Sequence, residues 1–201
     1  LEGDCAAMAL AVEDLENYAG PSPNNTATSK LLLGIASVAR TLKRQKGNIA
    51  AHYDLGNDFF SLWLDPSTSS YSCAYFRSPA DTLDTAQEQE AELVLKKLQL
   101  RPGMRLLDIG CGWGWLALRA ARDYGVRVLA LTLSEEQFAA TRQRFADNGV
   151  NGMAEVRLGN YLELEGNGRF DRVVSVGMFE HVGKAHHTQY FEKVRDLLKQ
   201  G

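Results

Sequence analysis

Hydrophobic and polar positions divide the chain into two parts with different patterns, which meet near residue 85. In the second part, short apolar runs predict four buried strands, at residues 104–109, 126–133, 154–159 and 170–178. Amphipathic helical periodicity lies around them, at residues 85–100, 115–124, 134–149 and 186–200. Ser134 is the expected N-cap of the third of these helices. Strands that alternate with helices predict parallel βαβ units and a doubly wound α/β sheet.

The first part of the chain follows another pattern. Helical periodicity occupies residues 4–19 and 30–45, on either side of a polar stretch with two prolines. These segments predict a helical N-terminal part at residues 1–46. Residues 48–76 are rich in aromatic and turn-forming residues and show no clean period. We assign them to the beginning of a second domain, at residues 47–201.

Composition and charge narrow the class of protein. The 201 residues are 45% hydrophobic and 23% charged, which suits one sizeable domain plus a small appendage. A net charge of −3 gives no reason to expect a nucleic-acid partner. Three cysteines, Cys5, Cys73 and Cys111, form no pairwise framework and favour a reduced, cytoplasmic protein. No apolar run approaches the ~18 residues of a membrane span, and no cluster has metal-ligand spacing, so no metal is predicted.

The stretch LLDIGCGWGWLA at residues 106–117 is the candidate ligand-binding loop. Asp108 lies near the end of a strand, and Gly110, Gly112 and Gly114 then fall at every second position before a helix. Glycine permits a tight turn and close backbone approach, and ligands of α/β sheets bind beyond the carboxyl ends of the strands. The spacing differs from the G-x-G-x-x-G of dinucleotide sites. An acid here suits a cationic or hydroxyl-bearing ligand better than a phosphate. A dinucleotide site and a turn that serves packing alone are the alternatives.

The acid-x-G-x-G-x-G spacing resembles the nucleoside-binding loop of S-adenosylmethionine-dependent methyltransferases, whose ligand has no phosphate. Four further stretches narrow the resemblance: HYDLGNDFFSLWLDP (52–66), YSCAYF (71–76), LTLSEEQ (131–137) and SVGMFEHVG (175–183). Together they resemble cyclopropane fatty acid synthases and the related mycolic acid methyltransferases. The resemblance implies a Rossmann-like class I methyltransferase sheet of seven strands. Since only the first four are visible, we interpret the chain as a fragment whose C-terminal part is missing.

The same resemblance implies a reaction. The family takes a methyl group from S-adenosylmethionine and adds it to a cis double bond of a phospholipid acyl chain, and a cyclopropane ring forms through a carbocation. Such a site must orient a poor nucleophile and exclude water. Aromatic faces attract cations. Seven aromatic residues are therefore candidates either for the pocket wall or for ordinary core: Tyr53, Phe59, Phe60, Trp63, Tyr71, Tyr75 and Phe76.

The resemblance also assigns a set of cofactor contacts from four loops. They are Tyr71 and Ser72; Asp108, Gly110, Gly112 and Gly114; Thr132, Leu133 and Gln137; and Asn160 and Tyr161. We expect the amide of Asn160 to hydrogen-bond the adenine edge and the ring of Tyr161 to stack on it. Many relatives carry an acid at the position of Asn160. Two other departures are Thr68, where methionine is usual, and Trp115, which replaces a small residue and is expected to narrow the space behind the loop.

Glu180 and Cys73 are the candidate catalytic residues. In the family, the glutamate of the matching FEHVG motif holds a bicarbonate ion, helped by the backbone at the YSC cysteine, and bicarbonate acts as the base. The family's other bicarbonate ligands lie beyond the end of this chain. The alternatives are that Glu180 is a solvated loop residue and that Cys73 is a small buried hydrophobe. A carboxylate buried at the end of an apolar strand would need a partner.

A basic cluster precedes the aromatic stretch, at Arg40, Lys43, Arg44 and Lys46. Near a membrane surface each cation gains roughly 1 kcal/mol from anionic headgroups, but cations also suit the end of a helix, so both interpretations stay open. With the resemblance, the cluster predicts a cytoplasmic protein that associates peripherally with the membrane and acts on phospholipid acyl chains. A homodimer is left open. The alternatives are a methyltransferase that yields a methyl-branched lipid or modifies a small molecule, and an inactive lipid-binding remnant.

Overall fold

The computed structural model describes residues 56–200, and all four predicted strands are present. They are β1 Arg105–Ile109, β2 Arg127–Thr132, β3 Ala154–Leu158 and β4 Arg172–Val174. All pair in parallel, in the order β3-β2-β1-β4. The predicted α/β class with parallel crossovers is therefore confirmed.

Five helices surround this sheet in the described part of the chain. They are α1 Gly56–Ser61, α2 Leu83–Leu98, α3 Trp115–Tyr124, α4 Glu135–Asp147 and α5 His187–Leu197. Short 3₁₀ turns lie at Tyr161–Glu163, Phe179–His181 and Lys184–His186. Ser134 caps α4 as predicted, since its side chain accepts a hydrogen bond from the Gln137 backbone N–H. Helix α1 was not predicted, because its six residues are too few to show a period.

The central positions of strands β1 and β2 are apolar except for Asp108, because both faces of these strands are covered. On one face, Leu106 and Val128 pack with residues of α2, α3 and α4 such as Leu95, Leu118 and Phe145. On the other face lies a second core. It comprises Leu107, Ile109, Leu129, Leu131, Tyr161, Leu164, Phe170, Val182, Tyr190 and Leu197. Asp108 is therefore a buried carboxylate within an otherwise apolar strand.

Strand β4 is shorter than the predicted run at residues 170–178. The hydroxyl of Ser175 donates a hydrogen bond to the carbonyl of Ile109 at 3.0 Å, and Gly177 has a φ of +68°. A left-handed residue cannot continue a strand. The chain therefore leaves the sheet after Val174 and forms a loop beside the end of β1.

Several expectations fall outside the described residues. The helical part at residues 1–46, the basic cluster at Arg40, Lys43, Arg44 and Lys46, and Tyr53 all belong to this group. Among residues 56–200, no helix has both the length and the apolar character that a membrane crossing requires. Cys73 and Cys111 carry free thiols.

Candidate cofactor-binding cleft

A cleft opens at the carboxyl ends of β1 and β2, where the predicted loops meet. Ten of the eleven predicted cofactor residues line it: Tyr71, Ser72, Asp108, Gly110, Gly112, Thr132, Leu133, Gln137, Asn160 and Tyr161. The fold thus collects side chains that are far apart in the sequence. Because the strands are parallel and neighbouring, their carboxyl ends meet at one edge of the sheet.

The three glycines of the loop have different reasons to lack a side chain. All three have a left-handed backbone, with φ of +81° at Gly110, +54° at Gly112 and +80° at Gly114. A Cβ on Gly110 would lie 2.8 Å from the Cβ of Met178, and one on Gly114 would overlap Thr141. A Cβ on Gly112 would meet no atom within 4 Å. Gly114 therefore serves packing against α4 and does not line the cleft, so its cofactor contact stays a prediction, while Gly112 leaves open space in the cleft wall.

Asp108 is the most unusual group in the cleft. Its side chain is only 2% exposed, and its Oδ2 has no hydrogen-bond partner among the described residues. Burial raises the pKa of this carboxyl to about 7. An unpaired buried carboxylate is stabilised by a positive charge or by N–H and O–H donors. The position of Asp108 therefore favours a ligand that brings such groups.

The end of β2 presents a preorganised amide. The Thr132 hydroxyl donates to Oε1 of Gln137 at 2.8 Å, and the backbone N–H of Ser134 donates to the Thr132 hydroxyl at 3.2 Å. Both Thr132 and Gln137 are buried. This arrangement holds the Gln137 side chain in one orientation, with its nitrogen as the remaining donor toward a ligand.

Asn160 and Tyr161 are both tied into the protein. Oδ1 of Asn160 accepts from the backbone N–H of Leu162 at 3.0 Å, and Glu163 accepts from the backbone N–H of Asn160, so the two form a capping box. Tyr161 is 6% exposed and meets Tyr190 edge-on at 5.3 Å between ring centroids. Burial raises the pKa of its phenol to about 12. Adenine contacts by these two residues stay a prediction.

The loop that carries Tyr71 and Ser72 is held by helix α2. The hydroxyl of Ser72 donates to Glu90, and Nε2 of Gln87 donates to the carbonyl of Ser72 at 3.2 Å. Gln87 and Glu90 are three residues apart, which places them on one face of the helix, and both line the cleft. The sequence prediction missed both residues, because their contacts with Ser72 depend on how α2 packs against a loop that is distant in the sequence.

Two tryptophans border the glycine loop. Trp113 was not predicted as a site residue, yet it lines the cleft, and its Nε1 donates to Oδ1 of Asn57 at 2.7 Å, which ties α1 to the loop. Trp115 lines the cleft as expected. The guanidinium groups of Arg119 and Arg144 lie 5.6 and 5.8 Å from its ring centroid.

The candidate catalytic residues do not join the cleft. Glu180 and Cys73 are both exposed and neither lines it, whereas Met178 and His181 do. Because β4 ends early, the turn Phe179–His181 carries the side chain of Glu180 to the surface, and the catalytic roles of both residues stay predictions. The alternative of a buried Cys73 is wrong, since Cys73 is exposed. Within residues 56–200, no three His, Cys, Asp or Glu residues are grouped so that they could hold a metal ion.

A parallel sheet in the order β3-β2-β1-β4, with a glycine-rich loop after β1 and a cleft at the carboxyl ends, defines the fold of class I S-adenosylmethionine-dependent methyltransferases. Residues 40–201 match the family model described as mycolic acid cyclopropane synthetase. The chain belongs to this family.

Relatives of known name agree with this assignment. The chain is 47% identical over 153 residues to a protein of Pseudomonas putida named "Probable fatty acid methyltransferase", covering 76% of this chain and 39% of that protein. It is 49% identical over 149 residues to the cyclopropane-fatty-acyl-phospholipid synthase of Escherichia coli, covering 74% of this chain and 37% of that enzyme. The crystal structure of the mycolic acid cyclopropane synthase CmaA1 with SAH and CTAB aligns with a TM-score of 0.72 at 43% identity, over 76% of this chain and 53% of that one. The chain thus spans about two fifths to half the length of these relatives.

Proposed function

We propose that the protein carrying this chain transfers a methyl group from S-adenosylmethionine to a cis double bond of an unsaturated phospholipid acyl chain and closes a cyclopropane ring there. The observation that carries the proposal is the family match over residues 40–201. The name of the Escherichia coli relative supports a phospholipid substrate. Such a substrate implies a cytoplasmic protein that associates peripherally with the membrane.

The cleft has the chemistry that S-adenosylmethionine requires. Oδ2 of Asp108 has no donor among the described residues, and the ligand's ammonium or ribose hydroxyls can supply one. Gly112 leaves room beside the backbone, and Gln137 offers a fixed amide. No lysine or arginine is among the lining residues of the described chain. This suits a ligand with positive charge and no phosphate. When bound, the cofactor supplies an electrophilic methyl group on a sulfonium.

The walls of the cleft are suited to an acyl chain that becomes positively charged. Tyr71, Trp113 and Trp115 line the cleft, and aromatic faces stabilise a nearby cation without acting as nucleophiles toward it. Tyr71 is braced by Trp63, whose ring centroid lies 5.0 Å away. Trp113 is buried, and its ring limits the access of water to this part of the cleft.

Bicarbonate at Glu180 and Cys73 is a finer proposal that rests on the resemblance alone. Both side chains are exposed in the described structure, so we derive no step through this anion. The test is Glu180→Gln, measured as turnover on phospholipid vesicles with and without added bicarbonate. If Glu180 helps to hold the base, turnover falls by about 10²-fold or more while cofactor affinity is kept. A variant with normal turnover and a normal bicarbonate response would contradict the assignment.

Incubation of the purified protein with methyl-labelled S-adenosylmethionine and vesicles of unsaturated phospholipid tests the main proposal. We expect the label in acyl chains that carry a cyclopropane ring, as identified by mass spectrometry of the released fatty acids. Absence of label from lipid, in a protein that binds the cofactor, would contradict the proposed substrate.

A further inference from the structure

Glu90 is distinguished from the other glutamates of helix α2 by its surroundings. Glu88 pairs with Arg119, and Glu92 pairs with Lys96 and Arg77. Glu90 forms no ion pair with any described residue, and its carboxylate accepts a hydrogen bond from the hydroxyl of Ser72. It lines the cleft, where no lysine or arginine of the described chain is present to neutralise it.

A second carboxylate faces the same cleft. Asp108 is 2% exposed and its Oδ2 has no partner among residues 56–200. Glu90, together with Asp108 when that carboxyl is ionised, makes the potential in the cleft negative, because no lysine or arginine of the described chain lines it, and the low dielectric of the walls strengthens that field. The cleft therefore attracts a ligand according to its positive charge as well as its shape.

We propose that Glu90 recognises the positive charge of S-adenosylmethionine and so favours the sulfonium cofactor over S-adenosylhomocysteine, the product that lacks this charge. The inference rests on the proposed function, because it presumes that this cofactor occupies the cleft. The two ligands differ by one methyl group and one positive charge. A negative cleft retains the first more strongly than the second, which eases release of the product after methyl transfer.

Calorimetry with three ligands tests the proposal on the purified protein. S-adenosylmethionine and sinefungin carry a positive charge at the reacting position, whereas S-adenosylhomocysteine carries none. In Glu90→Gln we expect the Kd of both cationic ligands to rise about tenfold, and that of S-adenosylhomocysteine to change less than about twofold. Glu92→Gln is the matched control, since Glu92 lies on the same helix, is charged and does not line the cleft.

A double-mutant cycle separates charge recognition from an indirect effect through Ser72. If Glu90 acts only by orienting the Ser72 hydroxyl, Glu90→Gln has no further effect on ligand preference in a Ser72→Ala background. We expect the preference for cationic ligands to fall about tenfold in both backgrounds. Equal loss of all three ligands in Glu90→Gln, or no loss, overturns the inference. Failure of the wild-type protein to bind any of the three contradicts the proposed function instead.

Discussion

At the scale of single residues, two equally buried aspartates show how surroundings decide chemistry. Asp65 is 3% exposed, and it accepts hydrogen bonds from the backbone N–H and the hydroxyl of Thr68. Asp108 is 2% exposed, and its Oδ2 has no such partner in the described chain. The carboxylate of Asp65 therefore stabilises its own loop, while the carboxylate of Asp108 is available to bind a ligand.

The unusual carboxyl of Asp108 predicts a dependence of stability on pH. Its pKa is about 7 in the folded protein against an ordinary value of 3.8, so the folded state holds a proton that the unfolded chain releases between these values. The contribution of this group to the free energy of unfolding is therefore greatest below pH 3.8, and it is lost as the pH rises through 7. The loss amounts to about 4 kcal/mol at most. Asp108→Asn, which cannot ionise, lacks this decline.

Urea unfolding of the wild type and Asp108→Asn at pH 4.5, 6 and 8 measures this effect. We expect the variant to gain stability relative to the wild type as pH rises, with most of the gain between about pH 5 and 7. Asp58→Asn, at an exposed position of α1, is the control. A difference between wild type and Asp108→Asn that is the same at all three pH values would contradict the raised pKa.

Replacement of Gly112 by valine is expected to abolish cofactor binding selectively. In Gly112→Val the new side chain enters the open space of the cleft, so we expect S-adenosylhomocysteine affinity to fall below detection. Gly149→Val is the matched control, because Gly149 also has a left-handed φ and open space around it but lies away from the cleft. Both substitutions cost about 1–2 kcal/mol of backbone strain.

Calorimetry and urea unfolding of the two variants separate these effects. If both variants are destabilised to a similar extent and only Gly112→Val loses cofactor binding, the result supports the assignment of the cleft as the cofactor site. Unchanged affinity in a folded Gly112→Val protein would falsify the assignment of the cleft.

At the scale of elements, helix α4 joins three parts of the cleft. Its first turn carries Gln137, Thr141 fills the space left by Gly114, and Arg144 reaches the loop before Tyr71. The guanidinium of Arg144 donates to the carbonyl of Thr68 at 2.6 Å and to the hydroxyl of Ser69 at 3.1 Å. Burial lowers the pKa of this guanidinium, as expected for a cation that is partly removed from water.

Arg144→Gln should therefore destabilise the fold, by about 2 kcal/mol, since a partly buried charged donor loses two acceptors. Urea unfolding measures the change. Arg142→Gln is the control, because Arg142 lies two residues away on the same helix and is exposed. Equal stabilities of the two variants would contradict a role for Arg144 in holding the loop.

At the scale of the whole molecule, charge is distributed unevenly. No lysine or arginine of the described chain lines the cleft, while four cations lie within residues 40–46 of the sequence. The cleft is therefore suited to a positively charged ligand, whereas the cluster at residues 40–46 is suited to a negatively charged surface. The second match depends on residues outside the described structure and stays a prediction.

Replacement of Arg40, Lys43, Arg44 and Lys46 by glutamine should weaken binding to anionic vesicles without changing cofactor affinity. Each cation contributes roughly 1 kcal/mol at an anionic surface, so the four together change the partition coefficient by orders of magnitude. Co-sedimentation at low and high salt measures the effect, which must diminish as salt rises. A wild-type protein that does not bind at low salt would show that this cluster has no membrane role.

Much of the fold was predictable because it depends on local pattern. Helix Trp115–Tyr124 agrees at both ends with the prediction, and the strands Arg105–Ile109, Arg127–Thr132 and Ala154–Leu158 agree within one residue. Apolar runs and N-caps act over a few residues, so they are visible in the sequence. The strand after residue 170 was predicted too long, because the bond between Ser175 and Ile109 that ends it joins distant parts of the chain.

The sequence by itself determined the α/β class, the family and the loops that supply the cleft, since these depend on periodicity and on motifs read along the chain. The tertiary structure decided what each residue does there. It assigned Gly114 to packing, left Oδ2 of Asp108 without a partner among residues 56–200, brought Glu90 to Ser72, and carried Glu180 to the surface. Burial and pairing depend on neighbours contributed by other elements, and no local pattern records which elements those are.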